Sequence, residues 1–253
     1  GVMARMDGTI GEAVERQSKW RHGRREHGRH PLQSVFTRDC IERGRDLDDG
    51  GARYNWVECS FVGLPNLVDG LHAIRREIYE DETLTLEYLR QTLAGNFEND
   101  PALRQRLLTR HAKYGHNVDA VDALFDRVVQ ALRQCCSKYR VEPGGAPFLP
   151  GAFCWIMHAK LGGECGATPD GRLAGEAFAD GCGPAQGRET LGPTASILSS
   201  TAWDQAPMIG GAAVNLKFSP TLAQPEAGRK AIQALVETFL RRGGFETQIN
   251  IVD

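Results

Sequence analysis

Apolar positions recur at helical spacing through most of the first half of the chain. Leu67, Leu71, Ile74 and Ile78, then Leu84, Leu86, Leu89 and Leu93, predict two amphipathic helices. Thr85, followed by Glu87 and Tyr88, is a plausible start for the second. Asp100-Pro101 opens another helix through Leu103, Leu107 and Leu108 to His111, because proline is tolerated in a first turn. The stripe Val121, Leu124, Phe125, Val128, Val129 and Leu132 predicts a long helix over 119–139. Upstream, 10–29 is helical in tone and ends before Pro31, and 35–43 carries Val35, Phe36, Cys40 and Ile41 near helical spacing up to Gly44.

The period then changes. Residues 148–161 (FLPGAFCWIMHAKL) are apolar almost throughout and read as a buried strand between Pro147 and Gly162. Alternation puts Gly151, Phe153, Trp155 and Met157 on one face and Ala152, Cys154, Ile156 and His158 on the other. Residues 162–200 are dense in glycine and proline, which describes tight turns laid over a packed scaffold. Ala195-Ser196-Ile197-Leu198 within them is an apolar run suited to a buried sheet. Residues 212–218 alternate like a strand, 225–242 form a helix on Ile232, Leu235, Val236, Phe239 and Leu240 that stops at Gly243-Gly244, and 245–252 return as a strand. That order predicts a parallel βαβ unit. The chain therefore reads as mainly helical over 1–145 and α/β over 146–253.

Composition narrows the function classes. With 253 residues, 41% of them apolar, the chain can bury the core of one or two domains. A formal net charge of -2 argues against a general nucleic-acid binder. The Arg- and His-rich stretch around Arg16, Arg21, His22, Arg24 and Arg25 is interleaved with Glu12, Glu15 and Glu26, the pattern of a solvated helix face rather than a metal tract or a basic arm. Neither a membrane-length apolar run nor a leader is visible, so a cytoplasmic location is expected. Seven cysteines at irregular spacing imply reduced thiols, and no paired CxxC suggests structural zinc. The loop 46–66 lacks the ligand order of a calcium site and reads as an aromatic loop pressed on a core. The glycine-rich turns could cradle an anion, but no GK[ST] accompanies them. A chain that opens on Gly1 and stops at Asp253 after a strand-like segment suggests a fragment of a longer protein.

Three motifs in order carry a resemblance: Gly166-Ala167-Thr168-Pro169-Asp170-Gly171-Arg172, then Ala179-Asp180-Gly181, then Gly192-Pro193-Thr194-Ala195. They resemble the carboxy-terminal half of the glycyl radical enzymes, the pyruvate formate-lyase and radical-dehydratase superfamily. Gly50-Gly51-Ala52-Arg53-Tyr54-Asn55, Lys113-Tyr114-Gly115-His116-Asn117 and Gln248-Ile249-Asn250-Ile251-Val252 look like further motifs of that family. The resemblance covers 31–253.

The resemblance implies part of an α/β barrel and an enzyme in which an unpaired electron, stored on a backbone glycine, passes to a cysteine that takes a hydrogen atom from substrate. It implies Phe153 and Trp155 as substrate-pocket side chains, and Thr194 of the third motif as a further substrate-binding candidate. It also implies a separate activating enzyme carrying an iron–sulfur cluster and S-adenosylmethionine, a small-molecule substrate and a dimer, with no cofactor bound in this chain. The family's Gly-Cys-x-Glu thiyl loop has no counterpart: Gly181-Cys182 continues Gly183-Pro184. Its Arg-Val-x-Gly-Tyr loop is expected downstream of Asp253, so this chain alone is expected to be inactive. Cys59, the Cys135-Cys136 pair and a Cys154–His158 pair are read as structural rather than catalytic. The expected activity is radical elimination or lyase chemistry, C–C or C–X cleavage. The alternatives are formate C-acetyltransferase activity and a non-catalytic barrel remnant or partner-binding module.

Overall fold

The computed structural model describes residues 2–252; Gly1 and Asp253, the ends of the stretch read above, lie outside the described residues. In chain order the elements are α1 (Val2–His27), α2 (Pro31–Phe36), α3 (Cys40–Arg43), β1 (Val57–Ser60), α4 (Leu64–Ile74), α5 (Leu86–Ala94), α6 (Pro101–Thr109) and α7 (Asp119–Ser137). They continue with β2 (Arg140–Val141), β3 (Ala146–Gly151), α8 (Met157–Gly163), α9 (Gly192–Ser200), β4 (Ala213–Phe218), α10 (Pro220–Ala223), α11 (Glu226–Arg241) and β5 (Glu246–Ile251). Packing divides them into two compact units, Gly1–Cys59 with Val129–Gly151 and Ser60–Val128 with Ala152–Asp253.

In the first unit α1 buries Ile10 and Val14, and the Tyr139 hydroxyl donates to the Asp7 carbonyl at 3.1 Å. A sheet in the order β1-β3-β2 lies beside it, with β2 and β3 antiparallel through Arg140↔Pro147 and Val141↔Ala146. α1 ends at His27, ahead of Pro31 as expected, Pro31 itself occupies the first turn of α2, and the 35–43 stretch breaks into α2 and α3. The loop 46–66 holds strand β1, and two of its aromatics, Tyr54 and Trp56, are exposed rather than pressed on a core, while Phe61 is half-buried.

The second unit follows its hydrophobic pattern closely. The Thr85 hydroxyl accepts from Tyr88 N–H, and the Asp100 carboxylate accepts from Leu103 N–H, capping α5 and α6 as read. Ala73, Leu89, Phe97, Leu103 and Leu107 close one core cluster. Tyr114 stacks on Phe125 with ring centroids 4.1 Å apart, and Phe125 meets Trp203 at 5.2 Å. β4 and β5 run parallel in register from Ala213↔Glu246 to Phe218↔Ile251, with α11 as the crossover, which is the expected βαβ unit.

Two readings change here. The 148–161 strand is only half strand: β3 stops at Gly151, a single parallel bridge joins Ala152 to Ala212, and the Met157 N–H bonds back to the Cys154 carbonyl to start α8. The run Ala195-Ser196-Ile197-Leu198 is helix α9 rather than strand, because Gly192-Pro193 supplies a first turn with proline. Among the described residues the sheets have three and two strands and do not close into a barrel.

Candidate functional site

The glycine-rich stretch is organised by buried charge. Asp170 and Arg172 are almost fully buried. One Asp170 oxygen accepts from the Asn66 amide at 2.8 Å, and the Asn66 carbonyl accepts from Ala179 N–H at 2.8 Å, tying α4 to two turns. The Arg172 guanidinium donates to the carbonyls of Gly162 (3.4 Å), Cys165 (3.4 Å), Gly166 and Glu176 (2.5 Å), and stands over the Phe178 ring at 4.2 Å. These are carbonyls at and beyond the end of α8, and those of Gly162 and Cys165 also accept from the N–H groups of Cys165 and Gly175, both at 3.1 Å. The motif's charged residues therefore fix backbone. Beside them Val62, Leu67, Leu71, Ile74, Pro169 and Phe178 line an apolar cleft of about 280 Å³.

The second motif sits against β4. Gly181 passes so close to Ala213 that a Cβ would collide with its carbonyl oxygen, and Cys182 N–H bonds to that oxygen at 2.8 Å. Asp180 accepts from the Asn215 amide at 2.9 Å, while the Asn215 carbonyl oxygen is buried without a partner. Asp180, Glu189, Pro193, Ser196, Asn215 and Lys217 contribute to a cleft of about 370 Å³. Thr194 is exposed on the first turn of α9 and is not in its lining.

Beneath the turns, Asp69 accepts from Tyr114 N–H at 2.8 Å, and the buried Lys113 ammonium donates to the Leu107 carbonyl at 2.5 Å. Burial pushes the Asp69 carboxyl up to about 7, against the pull of Lys113. Burial, with His111 adding to it, pushes the neighbouring His72 down to about 4. No local sequence signal marked Asn66 or Asp69, whose partners lie far along the chain.

The substrate-pocket candidates are brought together, but not on a strand face. Phe153 and Trp155 have ring centroids 5.6 Å apart. Trp155 takes a left-handed backbone (φ 50) in the turn before α8 and is 79% exposed, so it lines no internal cavity of this chain. The alternation behind that expectation fails because the backbone leaves extended geometry after Ala152. Cys154 and His158, four residues apart, lie within 3.8 Å through Sγ and Nδ1, yet the thiol also contacts the Asp180 carbonyl at 3.1 Å and burial raises its pKa. Burial likewise raises the thiols of Cys59, Cys182 and Cys136, the last to about 12, so none is a thiolate at neutral pH. Cys135-Cys136 is helical and buried, as read. Among the described residues no group of His, Cys, Asp or Glu could hold a metal ion, and no helix is long and apolar enough to cross a membrane.

Residues 2–162 match the family described as Pyruvate formate lyase-like, and residues 178–253 match Glycine radical. The probable dehydratase YbiW of Escherichia coli is 34% identical over 229 residues, covering 87% of this chain and 28% of its own length. The trans-4-hydroxy-L-proline dehydratase of Clostridioides difficile is 31% identical over 231 residues, covering 88% of this chain and again 28% of its own length. The glycerol-bound B12-independent glycerol dehydratase of Clostridium butyricum superposes with a TM-score of 0.94 at 29% identity, over 99% of this chain and 32% of that one. The chain thus spans less than a third of the length of these relatives, and its helical region with following strands and helices resembles theirs.

Proposed function

The chain belongs to the pyruvate formate lyase-like family, and from that premise we propose that it is part of a glycyl radical enzyme carrying out radical elimination or lyase chemistry on a small molecule. The observation that carries this reading is the near-complete superposition on a glycerol dehydratase, with two further dehydratases among the sequence relatives. It favours elimination over formate C-acetyltransferase chemistry.

In this reading the chain supplies scaffold and pocket wall. Radical chemistry needs a site closed to water and to competing reactants. The Asp170–Asn66–Ala179 chain and the Arg172 fan hold the turns rigid. The exposed apolar segment Trp155, Ile156 and Met157 is where the remainder of the longer protein closes the barrel, placing Phe153 and Trp155 toward substrate with Thr194 nearby. No residue of this chain carries the radical in the proposal; the radical glycine lies beyond Asp253 and is installed by an activating enzyme with an iron–sulfur cluster and S-adenosylmethionine. The assembly is a cytoplasmic homodimer.

The test is electron paramagnetic resonance on the full-length protein after anaerobic activation. The expected result is the doublet of a glycine-centred radical, with substrate consumed by elimination. A radical-free spectrum from a correctly activated protein overturns the reading.

A further inference from the structure

The cleft beside β4 holds charges of both signs that the chain does not neutralise. Lys217 and Glu189 are exposed in its wall, and among the described residues neither side chain has an ion-pair or hydrogen-bond partner. Asp180 is half-buried, and its carboxylate accepts from the neutral Asn215 amide at 2.9 Å. Lys217 follows Asn215 on the same face of β4, one step of about 7 Å along the strand. Its ammonium is thus offset from the carboxylate that Asn215 holds, and the two share the cleft without closing an ion pair. Arg188 lies on the same turn as Glu189 but is not in the lining; its charge acts on Asp69 and Lys113 beneath the turns.

At about 370 Å³ the cleft is at the small end of ligand sites, and Phe218 and Leu222 give it an apolar wall. Two carboxylates against one ammonium disfavour a simple acid, and Lys217 disfavours a simple amine. A molecule that carries both charges on one carbon meets its complement at each end, through charge-assisted hydrogen bonds, and leaves its side chain for the apolar wall.

We infer that this cleft binds an α-amino acid as its zwitterion, with the carboxylate on Lys217, the ammonium between Asp180 and Glu189, and the side chain against Phe218 and Leu222. None of Phe153, Trp155 and Thr194 lines it, and the inference does not depend on the radical reading. Its test is ligand-observed NMR on the unactivated full-length protein, in which no turnover takes place, with L-leucine as probe. The comparisons are 4-methylpentanoate, which lacks the ammonium, and 3-methylbutylamine, which lacks the carboxylate. Saturable leucine binding is expected, with both comparisons at least tenfold weaker. Lys217→Met is expected to weaken leucine about tenfold, the scale of a lost charge-assisted contact. Glu189→Gln should weaken it about threefold, since Asp180 still faces the ammonium. Both side chains are exposed and unpartnered, so neither replacement disturbs the fold. No saturable leucine binding below about 10 mM, unchanged affinity in either variant, or either comparison binding as tightly as leucine overturns the inference.

Discussion

The turn cluster and the segment that leads into it teach opposite lessons. In the cluster, Asp170 and Arg172 are buried and their hydrogen bonds are spent within the chain. In the 153–157 segment, Trp155 and Ile156 stand almost fully in solvent and bond to little. The motif that stands out most in the sequence is therefore structural cement, whereas the less distinctive apolar run next to it is left exposed and is the part that the proposed function assigns to the pocket wall. A conspicuous charge is not evidence of contact with substrate.

The sharpest way to break that contrast is to remove the cement. Arg172→Leu leaves the Gly166 and Glu176 carbonyls without their donor and removes a second donor from those of Gly162 and Cys165, and a loss of roughly 2–5 kcal/mol is expected in denaturant unfolding of the full-length protein. A change within about 0.5 kcal/mol, the range of ordinary surface substitutions, would return Arg172 to the candidates for catalysis. Gly181→Ala comes next: its Cβ meets the Ala213 carbonyl oxygen, and overpacking of this kind costs about 1–3 kcal/mol.

A subtler effect is expected from pH. Asp69 titrates near 7 in the fold against an unfolded value near 3.8, so the folded state holds the extra proton and Asp69 removes stability as pH rises from about 4 to about 7. His72, lowered from 6.5 to about 4, acts the other way, its contribution being present above 6.5 and lost as pH falls through 4. The two offset one another between pH 4 and 6.5. In that window Asp69→Asn should make stability rise more steeply with pH, and His72→Gln should make it fall; thermal melts across the window read both.

The smallest stability change, within about 0.5 kcal/mol, is expected for Trp155→Ala, since the side chain is exposed in this chain. Its kcat/KM in the activated full-length enzyme should nevertheless drop by about tenfold or more, the loss of a well-packed aromatic contact. Unchanged kinetics would take Trp155 out of the pocket wall.

Much of this was legible beforehand where local rules decide. The caps at Thr85 and Asp100, the helical stripes and the β4–α11–β5 crossover all follow from spacing and end signals within a few residues. The misreadings share a cause: an apolar run such as 148–161 has no period to distinguish strand from helix, and the left-handed turn at Trp155 that splits it leaves no mark in residue type. The Asn66–Asp170 and Asp69–Tyr114 bonds were invisible because each joins residues many positions apart. Arg21 was read with its neighbours as solvated face, and only the fold shows that it is enclosed while Arg24 and Arg25 pair with Asp48 and Asp49.

The parallel ribbon of β4 and β5 has a practical corollary. Among the described residues β5 has no neighbour besides β4, and Ile251 and Val252 beside that free margin are exposed. Backbone donors and acceptors along such a margin recruit whatever extended chain comes near. A recombinant product limited to these residues is thus expected to self-associate in proportion to its concentration, and a charged residue placed on that margin, such as Ile251→Lys, is expected to reduce the effect.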